Sequence, residues 1–173
     1  MTRRHVVLVG LPGSGKSTVG HLVAEELPAP LIDIDNLLVR QMGMPVAQIF
    51  GMVGEAKFRE MERDAVRTAE AREPCVVVPG GGWAAQPGEM EAARPISLIV
   101  YLACKPEVAV RRSEEGEGRP LLAGADPIQR MKQLLEARQA FYRLAHCQVA
   151  TDTKTPAAVA AEVTRLARLH GGW

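Results

Sequence analysis

Apolar residues along this chain fall into short blocks separated by Gly, Pro and Asp. His5-Val6-Val7-Leu8-Val9 stops at Gly10; a β-branched run without polar alternation marks a strand buried on both faces. From Lys16 to Leu27 the pattern changes. Val19, Leu22, Val23 and Leu27 recur at helical spacing until Pro28 and Pro30 end it. Leu31-Ile32-Asp33-Ile34 is a second strand candidate, with Asp35 or Asn36 as the cap of a helix reaching about Gln41. Gly43 and Pro45 break that helix, and Val46 to Phe50 can form a further short turn. A longer helix is expected from Gly54 to Arg72, with Phe58, Met61, Ala65, Val66 and Ala69 on one face. Cys75 to Val78 and Ile96 to Leu102 read as strands, and Lys105-Pro106 opens a helix to about Arg112. Ile128 to Ala145 is helical, Cys147 to Ala150 is the fifth strand, and Pro156 to Leu169 is a closing amphipathic helix.

Strands alternating with helices at this spacing predict a parallel sheet covered on both faces, a three-layer α/β/α arrangement with right-handed crossovers. Its five strands form one domain over residues 1–173, with no repeat or interdomain linker. Ligands of such folds bind at the carboxyl ends of the strands. Gly10 to Ser17, Asp33 and Asp35, and Gly80 to Gly82 all fall there.

Composition narrows the function by exclusion. The chain has 47% apolar and 24% charged residues, with 21 Lys+Arg against 20 Asp+Glu and a net charge of +1. That balance argues against a disordered chain and against a nucleic-acid binder working by bulk positive charge. The longest apolar stretch, Leu98 to Cys104, has seven residues, well below the roughly 20 of a membrane-spanning helix. No signal-peptide core follows the basic start Arg3-Arg4. Cys75, Cys104 and Cys147 lack CxxC spacing, as expected for reduced thiols of a cytosolic protein. A cytoplasmic monomer is expected.

Gly10-Leu11-Pro12-Gly13-Ser14-Gly15-Lys16-Ser17 matches G-x-x-x-x-G-K-[ST], followed by Thr18, with a strand entering and a helix leaving. Glycines let successive backbone N–H groups turn inward around a polyphosphate, and the helix N-terminus adds partial positive charge. In this pattern Lys16 neutralises the β- and γ-phosphates and Ser17 ligates Mg²⁺. The chain is therefore expected to bind ATP or GTP with magnesium. The N-K-x-D base-reading motif of GTPases is missing, since Asn36 is the only Asn. Neither Val76-Val77-Val78 nor Leu98 to Leu102 ends in an aspartate, so the candidate metal-side carboxylate is Asp33.

Asp33 and Asp35, two apart in an extended segment, would point to the same side. One can then hold magnesium or its water while the other accepts the proton of an attacking hydroxyl; the alternative is helix capping by Asp35 and a solvated Asp33. Arg59, with Glu55 and Glu62 at helical spacing, reads by itself as a member of a solvated ion-pair ladder. Gly80-Gly81-Gly82 is either a plain turn or a place where a ligand touches backbone. Ser113 to Pro120 is polar and glycine-rich, a composition that suggests a mobile loop.

Together these segments resemble the shikimate kinase family, within the nucleoside monophosphate kinase-like group of P-loop folds. The resemblance rests on Gly10 to Thr18, Asp33-Ile34-Asp35, Ile49-Phe50, Gly54-Glu55 and Phe58-Arg59-Glu60-Met61-Glu62. It continues through Gly80-Gly81-Gly82, Arg119-Pro120-Leu121-Leu122 and Arg138 to Tyr142. It implies a P-loop kinase fold that phosphorylates shikimate with ATP, with an acceptor-binding insertion at about 34–62 and a lid at about 112–124. It further implies that Gly13, Ser14, Gly15, Lys16, Ser17 and Thr18 bind ATP, that Ser17 and Asp33 serve Mg²⁺, and that Asp35, Arg59, Gly81 and Arg138 hold shikimate. Lys16, Asp35 and the lid residue Arg119 would carry the catalysis, and Arg111 and Lys154 would lie on the adenine side.

Two positions depart from the family pattern. Val39 stands where a glutamate is frequent, and Trp83 replaces a small residue after the glycine triplet. Both neighbour the expected acceptor site. A kinase of another hydroxylated acceptor such as gluconate is the alternative enzyme, and a regulatory nucleotide-binding module without turnover is the alternative of another class.

Overall fold

The computed structural model describes residues 2–114 and 126–173. Five parallel strands, β1 (His5–Val9), β2 (Leu31–Asp33), β3 (Val76–Val78), β4 (Ser97–Ala103) and β5 (Cys147–Ala150), lie in the order β2-β3-β1-β4-β5. The hydrophobic β1 takes the centre. Because side chains alternate along a strand, Val6 and Leu8 enter one core and Val7 and Val9 another.

The first core packs β1, β3 and β4 against α1 (Lys16–Glu26) and α8 (Pro156–His170), through Val19, Val23, Val159 and Val163. Across the sheet lie α2 (Ile34–Met42), α3 (Val46–Val53), α4 (Glu55–Glu70), α5 (Glu89–Ala93), α6 (Pro106–Glu114) and α7 (Pro127–Tyr142). They close over Val7, Val77, Ile99 and Tyr101, with Ile34, Leu38, Ile49, Phe58 and Met131 as the main buried contributors. This is the expected three-layer α/β/α sandwich with a five-stranded parallel sheet.

Three local expectations are corrected. Ile34 does not extend β2; it begins α2, and the cap is Asp33, whose Oδ1 accepts from the Asn36 N–H at 3.2 Å, not Asp35 or Asn36. Asp33 and Asp35 therefore do not share a side through strand alternation. Between Gly82 and β4, a 3-10 turn at Trp83–Ala85 and the short α5 were not anticipated, because neither is long enough to show a helical period. The helix expected to end near Phe50 continues to Val53.

Candidate active site

The phosphate loop joins β1 to α1 as its spacing predicts. Gly13 and Gly15 adopt φ of +80° and +95°, left-handed values that a side chain resists. Gly13 is also sterically committed, since a Cβ there would overlap the Ala109 carbonyl and Ser113 Oγ of α6. The loop is thereby seated directly on the helix that leads toward Arg119, which itself lies outside the described residues, as does most of the 112–124 lid segment. Buried Lys16 reaches back over the loop, donating to the carbonyls of Gly10 at 2.8 Å and Leu11 at 2.9 Å.

Ser17 Oγ donates to Asp33 Oδ2 at 2.7 Å, joining the first turn of α1 to the end of β2. Two hard oxygen donors beside the phosphate loop suit Mg²⁺, which needs few protein ligands because it keeps water and substrate phosphate in its shell. The described residues contain no group of three or more His, Cys, Asp and Glu placed to hold a metal. Asp35, in the first turn of α2, lines the same cleft of about 390 Å³ as Lys16, Ser17 and Gly81.

The glycine triplet after β3 is a crowded junction rather than a plain turn. A Cβ on Gly80 would overlap Glu62 Oε2 and approach Asp35 Oδ1 to 2.9 Å, and one on Gly82 would overlap the Arg59 guanidinium. From α7, buried Arg138 donates from Nη1 to the Gly81 carbonyl at 2.7 Å. Asp35, Arg59 and Arg138, far apart in sequence, thus meet at one loop. Arg59 is not in a solvated ladder: its side chain is 18% exposed, Nη1 donates to Glu62 Oε1 at 3.2 Å, and its guanidinium sits over Phe50 and Phe58.

Glu62 is the site residue that composition concealed. Its side chain is 1% exposed, and burial pushes its carboxyl up to about 7, reinforced by Asp35 and opposed by Arg59 and by the amide of Gln86. The available signal was its phase, because Phe58, Glu62 and Val66 are spaced by four and all are buried on α4. At the other end of the cleft, Arg112 and not Arg111 faces inward: Arg111 is exposed, whereas Arg112 donates to Thr151 Oγ1 at 3.0 Å and to the Thr151 carbonyl at 2.7 Å. Adjacent arginines on a helix point about 100° apart, and the helix phase selects the second. Lys154 also lines the cleft, with its ammonium on Glu162 Oε2 at 2.6 Å. Trp83 is 1% exposed and packs in the core beneath the site, so its bulk does not line the cleft.

Comparison with known proteins converges on one family. The family model for shikimate kinase matches residues 12–168. A shikimate kinase of Caldanaerobacter subterraneus subsp. tengcongensis is 40% identical over 162 residues, covering 94% of this chain and 95% of that protein. Among solved structures, a shikimate kinase from Acinetobacter baumannii in complex with shikimate superposes with a TM-score of 0.89 at 31% identity, covering 95% of this chain and 93% of the other. A gluconokinase from Sinorhizobium meliloti gives 0.68 at 19% identity, covering 98% and 94% of the two chains, a likeness of fold alone.

Proposed function

The chain belongs to the shikimate kinase family, and from that premise we propose that it transfers the γ-phosphoryl group of ATP to a hydroxyl of shikimate, giving shikimate 3-phosphate and ADP within aromatic amino acid biosynthesis. The observation that carries the residue assignment is the meeting of Asp35, Arg59 and Arg138 at the Gly80–Gly82 loop, where Asp35 and Gly81 also line the cleft that holds the phosphate loop. Two guanidinium groups suit a carboxylate, and a carboxylate beside backbone amides suits hydroxyls.

The acceptor is held with its carboxylate toward Arg59 and Arg138 and its reacting hydroxyl toward Asp35. The hydroxyl oxygen forms the new bond to the γ-phosphorus as the bond to the ADP oxygen breaks, and Asp35 takes the hydroxyl proton. Gly13 to Thr18 enclose the polyphosphate with backbone N–H groups, and Lys16 exchanges the Gly10 and Leu11 carbonyls for phosphate oxygens. Ser17 and Asp33 would hold Mg²⁺, which when bound supplies positive charge to the β- and γ-phosphates. Arg119 serves the same developing charge from the lid. Arg112, Lys154 and Pro156 line the nucleotide end, and the exposed Arg111 does not. No helix among the described residues is long and apolar enough to cross a membrane, and Cys75, Cys104 and Cys147 are free thiols.

The test is ADP release with shikimate, gluconate and nucleoside monophosphates offered separately. Shikimate alone should raise turnover above ATP hydrolysis in its absence. Turnover with gluconate and none with shikimate would transfer the site to the other acceptor, and ATP binding without turnover on any of them would favour a regulatory module.

A further inference from the structure

Behind the acceptor arginine lies a chain of polar contacts that reaches the far side of α4. Arg63 Nη1 donates to Gln86 Oε1 at 2.6 Å, Gln86 Nε2 donates to Glu62 Oε1 at 2.9 Å, and the same Glu62 oxygen accepts from Arg59 Nη1 at 3.2 Å. The direction of the relay is fixed by chemistry. Arg63 can only donate, so it selects the carbonyl end of the amide and turns the NH₂ toward the carboxylate. The Gln86 backbone is fixed too: its N–H donates to the Trp83 carbonyl at 3.0 Å and its carbonyl accepts from the Glu89 N–H at 3.2 Å. Gln86 is 9% exposed and Glu62 is fully buried, so water does not substitute for these contacts.

From this geometry we infer that Gln86, oriented by Arg63, is a positioning residue for the acceptor site, holding Glu62 so that Glu62 in turn aims Arg59 at the acceptor carboxylate. This deepens the proposed function and rests on the acceptor role given there to Arg59. A buried carboxylate with a single donor could rotate about its last torsion and carry the arginine with it. Two donors converging on Oε1 remove that freedom and leave Oε2 toward Gly80, where a Cβ would overlap it. The charged groups facing Glu62 are Arg59 on its own helix and Asp35 on α2, with Arg63 acting through Gln86. Gln86 caps the 3-10 turn Trp83–Ala85, which follows the glycine triplet directly, so one short turn joins the loop that meets the acceptor to the residue that aims its arginine.

The test is a steady-state comparison of Gln86→Met, which keeps volume and removes both hydrogen bonds, with the wild-type enzyme. The expected result is an acceptor KM raised about tenfold, with kcat and the KM for ATP within about twofold, as when a charge-assisted hydrogen bond is lost from a site that binds one substrate. Arg63→Met should move the same constant in the same direction by less. In a Glu62→Gln background, Gln86→Met should change the acceptor KM by less than about twofold, because the pathway through the carboxylate is already altered. An unchanged acceptor KM, an equal rise in the KM for ATP, or full additivity with Glu62→Gln would overturn the inference. If Gln86→Met does not fold, Arg63→Met decides by the same split. Failure of wild type to turn over shikimate would instead count against the proposed function.

Discussion

Arg138 Nη1 donates to the Gly81 carbonyl at 2.7 Å, which pins a guanidinium from α7 to the backbone that follows β3. The bond fixes one N–H of a planar guanidinium that also interacts with Tyr142, so the fork is held in one orientation for a carboxylate. Arg138→Ala should therefore raise the KM for shikimate by roughly 30- to 100-fold, equivalent to about 2 to 3 kcal/mol for charge-assisted hydrogen bonds. The KM for ATP should stay within about twofold. Arg138→Lys should recover only part of the loss, because an ammonium supplies charge without the fork. Initial rates at varied shikimate and at varied ATP separate the two substrates; a loss confined to ATP would move Arg138 out of the acceptor site.

Asp35 bears on rate rather than on nucleotide affinity. It lines the same cleft as Lys16 and lies toward Gly80, so it can meet an acceptor hydroxyl without touching the adenine end. Asp35→Asn retains shape and loses the ability to take a proton. The expected outcome is a kcat reduced by about 10² to 10⁴, with ATP affinity by titration nearly that of wild type. Wild-type kcat in this variant would remove Asp35 from the proton transfer.

Much of this architecture was legible because it obeys two periods. Continuous β-branched runs gave the strands, three- and four-residue spacing gave the long helices, and the phosphate loop is set by a contiguous motif. Failures occurred where a residue serves two elements. Asp33 ends a strand and caps a helix, and that double duty shifted the start of α2 by two residues. Glu62 belongs by phase to the core and by chemistry to the surface, and only the structure shows that Gln86 and Arg59 make its burial tolerable. The choice of Arg112 over Arg111 depended on the rotation of one helix, which neighbouring arginines do not reveal.

Glu62 also makes stability depend on pH in a definite direction. Its carboxyl is raised from 4.5 to about 7 in the fold, chiefly by burial, so the native state binds more protons than the unfolded chain between those values. Stability from this group is fully present below about 4.5 and is lost as pH rises through about 7. The shift corresponds to about 3 kcal/mol. Glu62→Gln has no charge to bury, so the stability of wild type relative to this variant should fall by about that amount between pH 4.5 and 8. Urea unfolding of both proteins without ligands across that range measures the difference, and a difference independent of pH would contradict it.

The dual role of Asp33 can be separated by one substitution. Its Oδ1 caps α2 through the Asn36 N–H and its Oδ2 accepts from Ser17 Oγ. Asparagine is as good an N-cap as aspartate, so Asp33→Asn should leave thermal stability close to wild type while removing the negative charge next to the phosphate loop. The Mg²⁺ concentration for half-maximal turnover should then rise by about tenfold, consistent with about 1.4 kcal/mol of lost cation affinity, and the KM for shikimate should not change. Asp33→Ala removes the cap as well and should cost about 1 kcal/mol of stability in addition. A magnesium titration of turnover together with thermal melts distinguishes the two effects: if Asp33→Asn keeps the wild-type magnesium dependence, Asp33 is a helix cap and the metal is held by other oxygens.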